Sequence, residues 1–118
     1  MSKAARSVGA FGVYLVFMGS AIVIAPNTFL SLFALPTTDE VWFRLLGVIL
    51  TYVGTYYLVA ARHAVVPIFH ASIPVRLSLL GFLTAFVMLG YVSRNVLIFG
   101  LADVIGALWT HIALRRES

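Results

Sequence analysis

"VWFRLLGVILTYVGTYYLVAA", residues 41–61, holds one charged residue, Arg44, and is otherwise built from apolar, aromatic, glycine and threonine residues. A run of this length, rising about 1.5 Å per residue as a helix, crosses the roughly 30 Å hydrocarbon core of a bilayer with every backbone polar group bonded internally. The polar turn "TTDE" precedes it and the pair Arg62-His63 follows it. The stretch therefore reads as one complete transmembrane helix.

Three more runs have the same character, from about Val8 to Ala25, Val75 to Val92, and Val96 to Leu114. Hydrophobic residues make up 62% of the 118-residue chain and charged residues 10%, with a mean hydropathy of +1.05. Soluble domains carry about 25% charged residues, so the composition belongs to the membrane class. The fold expected is all-α: a single polytopic domain over residues 1–118, a bundle of four transmembrane helices with short loops. After the first run, "PN" at 26–27 breaks the helix, and "TFLSLFALP" is too short to span, so it is expected as a brief interfacial helix.

Positive charge is retained on the cytoplasmic side of a membrane. With alternating helices, Lys3, Arg6, Arg62, Arg76, Arg115 and Arg116 fall on one side, against Arg44 and Arg94 on the other. Both termini are therefore expected in the cytoplasm, with Asp39 and Glu40 outside and Trp42 and Trp109 near opposite interfaces. The net charge of +4 is explained by anchoring to anionic headgroups, and no nucleic-acid partner is expected. Cysteine is absent, which excludes disulfides, thiolate metal sites and a thiol nucleophile. The basic start followed by an apolar core resembles a secretory signal, but "IVIAPN" lacks a small-x-small cleavage site, so this run is expected to stay as a helix.

Asp103, in "FGLADVIGALWTH" (99–111), lies about 7 residues into the last run, roughly 10 Å below its outer end. A lone charge at that depth costs on the order of 2.5–3.5 kcal/mol, so a partner inside the bundle is expected. Arg44 enters from the same side, and an Arg44–Asp103 pair is the expectation. It serves either as a structural lock of helix register or as a site for a proton or ligand. Arg44, Thr51, Thr55 and Arg62 form one stripe of the second span. Asp103, Ala107 and Thr110 share a face of the fourth, beside the small pair Ala102 and Gly106. Gly47, Gly54 and Gly81 are candidates for close packing or ligand approach.

Tyr52 and Tyr56 share a helix face, with Tyr57 turned away by about 100°. Together with Tyr14 and Phe17, Thr51, Thr55 and Thr110, they are candidate lining for a pocket that takes a quinone, sterol or acyl chain. No cofactor is expected beyond such a quinone or other lipid. His63, His70 and His111 lack metal-type spacing, so no metal is expected. The segment "RHAVVPIFHASIPVR" (62–76) is expected to lie along the membrane surface, with Arg62 and Arg76 touching headgroup phosphates.

The motifs "APNTFLSLFALP", "WFRLLGVILTYVGTYYLVAAR", "PVRLSLLGFLTAFVMLG" and "FGLADVIGALWTHIALRR" together resemble small bacterial four-helix membrane proteins of the DoxX-like superfamily. The resemblance is carried by Pro26, Pro36, Arg44, Gly47, Ala61, Arg62, Arg76, Asp103, Gly106, Ala107, Trp109 and Thr110 and spans nearly the whole chain. It implies a four-helix bundle in the bacterial inner membrane, with accessory subunits of quinone-linked redox systems among the better-known members. It carries over no catalytic residue.

The function expected first is a non-catalytic accessory subunit of a membrane complex or a binder of a lipophilic ligand. A small proton-coupled transporter or channel is the alternative, and a membrane enzyme on a lipophilic substrate ranks third, since no catalytic motif is present. Assembly as a homo-oligomer or within a larger complex is expected because four short helices bury little surface.

Overall fold

The computed structural model describes residues 2–117, which form five α-helices: α1 (Lys3–Ile24), α2 (Pro26–Leu32), α3 (Val41–Arg62), α4 (Val66–Met88) and α5 (Leu97–Glu117). A short 3₁₀ turn, Arg94–Val96, leads into α5. The four long helices are each long and apolar enough to cross a membrane. The greatest dimension, 45 Å, matches a bilayer with its headgroup layers. Side chains such as Val75, Phe82, Leu101 and Ile105 are exposed around the outside. That surface suits lipid, and in water it would drive association.

The helices are paired as two antiparallel hairpins, α1 with α3 and α4 with α5, docked chiefly through α1 against α5. The first hairpin is held by backbone proximity. A Cβ on Gly12 would stand 2.9 Å from the carbonyl oxygen of Gly54, and one on Gly54 would stand 2.7 Å from that of Gly12. Seven residues along, Gly19 and Gly47 repeat the arrangement, a Cβ on Gly47 falling 2.7 Å from the Gly19 carbonyl. Four glycines thus let two helices touch backbone to backbone, the small-residue packing that replaces the hydrophobic effect within lipid. Gly81 differs, since nothing stands within 4 Å of its Cβ position.

The core is concentrated at one end. Ala4, Ala5, Val8, Ala60, Ala61, Phe69 and Ala113 form a buried cluster where the start of α1, the α3–α4 turn and the end of α5 meet. At the opposite end, α2 folds back beneath the bundle, and Phe29 and Phe33 pack on Phe99 of α5 at ring separations of 5.7 and 4.8 Å. Asn27 Oδ1 accepts a hydrogen bond from the Thr38 amide, and Asn95 Nδ2 donates to the Ala34 carbonyl. These two bonds tie the linker to both neighbouring elements.

Three helix ends share one device. After α2, α3 and α4 the chain turns through a left-handed residue, Ala34 (φ 53°), Ala64 (φ 52°) and Gly90 (φ 78°). In each case the next amide bonds five residues back: Leu35 to Leu30, Val65 to Ala60, Tyr91 to Phe86. This is the Schellman arrangement that satisfies the last carbonyls of a helix.

The third span differs from expectation. It begins at Val66, nine residues before Val75, and ends at Met88. Pro67 occupies the first turn, where no backbone donor is needed, and Pro74 is carried inside the helix. The segment expected to lie along the membrane surface is therefore the first half of a membrane helix. Gly90, in place of Val92, ends the span because it takes the left-handed turn.

Candidate intramembrane site

The shift in α4 places Arg76 at mid-helix instead of at the headgroups. Arg76 is 3% exposed, and its guanidinium lies over the Phe11 ring, 4.6 Å from the centroid. Nε donates to the Ser72 carbonyl at 3.3 Å. Nη2 donates to Ser72 Oγ and to Thr110 Oγ1, both at 2.9 Å. A Cβ on Gly106 would stand 3.2 Å from Nη1, so the small residue leaves room for the guanidinium against α5. The arginine thereby bridges α4, α1 and α5 as a planar fork, a role a lysine ammonium does not reproduce.

Beneath it, the hydroxyls of Ser7 and Thr110 lie 2.7 Å apart. Ser7 Oγ also reaches the Ala4 carbonyl at 2.7 Å, and Thr110 Oγ1 reaches the Gly106 carbonyl at 3.1 Å. Each hydroxyl has one proton, which leaves two consistent arrangements. Ser7 donates to Ala4 while Thr110 donates to Ser7, or Ser7 donates to Thr110 while Thr110 donates to Gly106. In both, Thr110 accepts from Arg76.

Asp103, 8% exposed, lies one helical turn beyond Gly106 on the same face of α5. At Gly106 the Arg76 guanidinium and the Phe11 ring both approach α5, 3.2 and 3.5 Å from where a Cβ would stand. No ion pair within 4.0 Å joins Asp103 to Arg76 or to any other residue among those described. Nη1 of Arg76 is, among the described residues, the one fully buried side-chain polar atom without a hydrogen-bond partner. The Asp103 oxygens therefore lack a protein partner yet retain accessible surface.

The expected Arg44–Asp103 pair is not formed. Arg44 is exposed and lines a polar recess with Asn27, Thr38, Asp39 and Glu40. The reason is topological: α3 packs on α1, so its N-terminal end does not face α5. The expected polar stripe of α3 is turned away for the same reason. Thr51 donates to the Gly47 carbonyl and Thr55 to that of Thr51, which satisfies both hydroxyls on their own helix. Arg62 is exposed at the end of α3, whereas Arg76, expected at the headgroups beside it, is internal.

The tyrosines exchange roles as well. Tyr52 and Tyr56 are 61% and 72% exposed and do not join Tyr14 in a pocket. Tyr57 turns inward, its ring 5.6 Å from that of Phe11. Tyr14 stacks on the other side of Phe11 at 5.8 Å and helps to line a cleft of about 450 Å³ with Phe17, Phe29, Phe33, Phe99 and Ala102. Tyr14 thus stands between an aromatic cleft and the buried polar cluster. A second, smaller cleft of about 210 Å³ separates the N-terminal half of α3 from the C-terminal half of α4, between Leu46 and Leu50 on one side and Leu79 and Leu83 on the other. His63, His70 and His111 are exposed, and among the described residues no three metal-ligating side chains are gathered.

Ser7, Phe11, Ser72 and Tyr57 were not singled out by sequence. The available signal was spacing: Ser7 with Phe11 and Ser72 with Arg76 are both i, i+4 pairs, and Arg76 sits in an apolar run once Pro67 is read as a helix start.

The four long apolar helices define a multi-pass membrane protein with a charged and hydroxylated cluster inside its bundle. Comparison of the chain with protein-family models, curated proteins and solved structures gives no match.

Proposed function

We propose that this chain is a small protein of the bacterial inner membrane, with both termini cytoplasmic, that binds a lipophilic ligand without transforming it. It acts as a homo-oligomer or as an accessory subunit of a larger, quinone-linked membrane complex. The DoxX-like resemblance agrees with that role. The observation that carries the reading is the aromatic cleft between α1, α2 and α5, about 450 Å³ in volume, beside the Arg76–Asp103 cluster. Sites for small ligands are mostly apolar, of roughly 300–1,000 Å³, with a few polar groups at one end.

The test is mass spectrometry of the protein extracted in native lipid with a polymer belt. A lipophilic compound enriched over the surrounding bilayer is expected, together with its loss in Ala102→Trp, which fills the cleft. A lipid profile identical to that of the bulk membrane in both proteins refutes the reading.

The opposite charges of Arg76 and Asp103, buried on adjacent helices without a direct ion pair, favour one further reading, a proton-coupled transporter. A proton-driven flux in liposomes that is abolished by Asp103→Asn is its signature.

A further inference from the structure

The polar cluster contains two unmet demands. Nη1 of Arg76 carries protons and is sealed from solvent without an acceptor. Asp103 is nine-tenths buried, has no hydrogen-bond or ion-pair partner among the described residues, and keeps its oxygens accessible. Unpartnered polar groups in a low-dielectric interior each cost about 1–3 kcal/mol or more, so something that supplies hydrogen bonds is favoured there. The aromatic cleft is lined in part by Tyr14 and Ala102, and Ala102 is the chain neighbour of Asp103.

We infer that the ligand of the cleft is a neutral amphiphile with a hydroxyl head, a lipophilic alcohol or phenol, whose hydroxyl is held by Asp103 while its apolar body lies among Tyr14, Phe29, Phe33 and Phe99. This rests on the ligand-binding reading above and narrows it. A hydroxyl has one donor and two acceptor lone pairs, so it satisfies Asp103 whether that group is charged or neutral. A carboxylate head would place a second negative charge beside Asp103, and an ammonium head would place a second positive charge beside Arg76. Either leaves a net charge in a site that already balances its own. A plain hydrocarbon fills the cleft and leaves Asp103 without a hydrogen bond.

The experiment compares 4-dodecylphenol, dodecylbenzene and dodecanoic acid for partition into phosphatidylcholine nanodiscs with and without the protein. Protein-dependent binding of the phenol is expected to exceed that of the hydrocarbon and of the acid by about tenfold or more, the worth of one hydrogen bond to a charged group. In Asp103→Leu that preference is expected to vanish while hydrocarbon binding persists, and Ala102→Trp is expected to lose all three. Equal binding of the three probes to the wild-type protein overturns the hydroxyl inference and leaves the cleft reading standing. No protein-dependent binding of any probe overturns both. The comparison among ligands on the unaltered protein holds even where Asp103→Leu does not fold.

Discussion

At the residue scale, Arg76 concentrates most of the bundle's polar organisation. Its guanidinium makes three hydrogen bonds across α4 and α5 and stacks on Phe11 of α1. Removing it takes one hydrogen bond from Ser72 Oγ and one from Thr110 Oγ1, each of which keeps another partner, and leaves Asp103 without a cation in the bundle interior. Arg76→Met is therefore expected to lower stability by about 2–4 kcal/mol, as measured by SDS-driven unfolding in mixed micelles followed by circular dichroism. Arg76→Lys, which keeps the charge and loses the fork, is expected to cost about 1–2 kcal/mol. Because Asp103 is then a buried charge without its cation, Asp103→Leu is expected to cost less in the Arg76→Met background than in the wild type. A double-mutant cycle with no coupling between the two positions would show that they act independently. The importance of Asp103 was legible from its isolation in an apolar run. Which arginine shares the bundle interior with it was not, because choosing between Arg44 and Arg76 depends on which helices are neighbours.

At the element scale, the α1–α3 hairpin depends on glycine pairs and the helix ends on left-handed turns. Gly54→Leu is expected to pry the hairpin apart and to lower stability by several kcal/mol, since its side chain would meet the Gly12 carbonyl, Leu15 and Val16. Gly81→Leu, facing open space, is the matched control and is expected to fall within about 0.5 kcal/mol of wild type in the same unfolding assay. The opposite sign is expected at Ala64. It is exposed and adopts a left-handed conformation that costs an L-residue roughly 1–2 kcal/mol. Ala64→Gly should recover about 0.5–1 kcal/mol after the entropy of the unfolded glycine is subtracted. No gain in unfolding midpoint would show that the α3–α4 turn is not strained. The existence of the four long helices followed from composition and length. The start of α4 did not, because Pro67 and Pro74 look alike in sequence, although one begins a helix and the other is tolerated inside it.

At the scale of the whole molecule, tight packing at one end and aromatic clefts at the other divide the bundle into a fixed half and an open half. Small residues dominate the first, and phenylalanine and leucine the second. In the orientation we propose, with both termini cytoplasmic, the clefts belong to the outer leaflet and the small-residue core to the inner one. The natural absence of cysteine makes this directly testable. A single cysteine at Thr37 is expected to react with a membrane-impermeant maleimide added outside spheroplasts, and one at His63 only after the membrane is opened. The reverse pattern would invert the protein and place the clefts on the cytoplasmic side.

The amino-acid sequence by itself determined the solvent and the elements of this protein. Runs of about twenty apolar residues have one stable conformation in a bilayer, because a helix alone satisfies its own backbone there. It also marked Asp103 as a group in need of company. What only the tertiary structure decided was which faces meet. Every long helix here is apolar almost all round, so periodicity does not distinguish a face turned to lipid from one turned to a neighbour. The pairing of α1 with α3 through Gly12, Gly19, Gly47 and Gly54 settled that question. It turned the stripe of Arg44, Thr51 and Thr55 away from α5, sent Tyr57 inward in place of Tyr52 and Tyr56, and left Arg76 as the buried arginine that packs on α5.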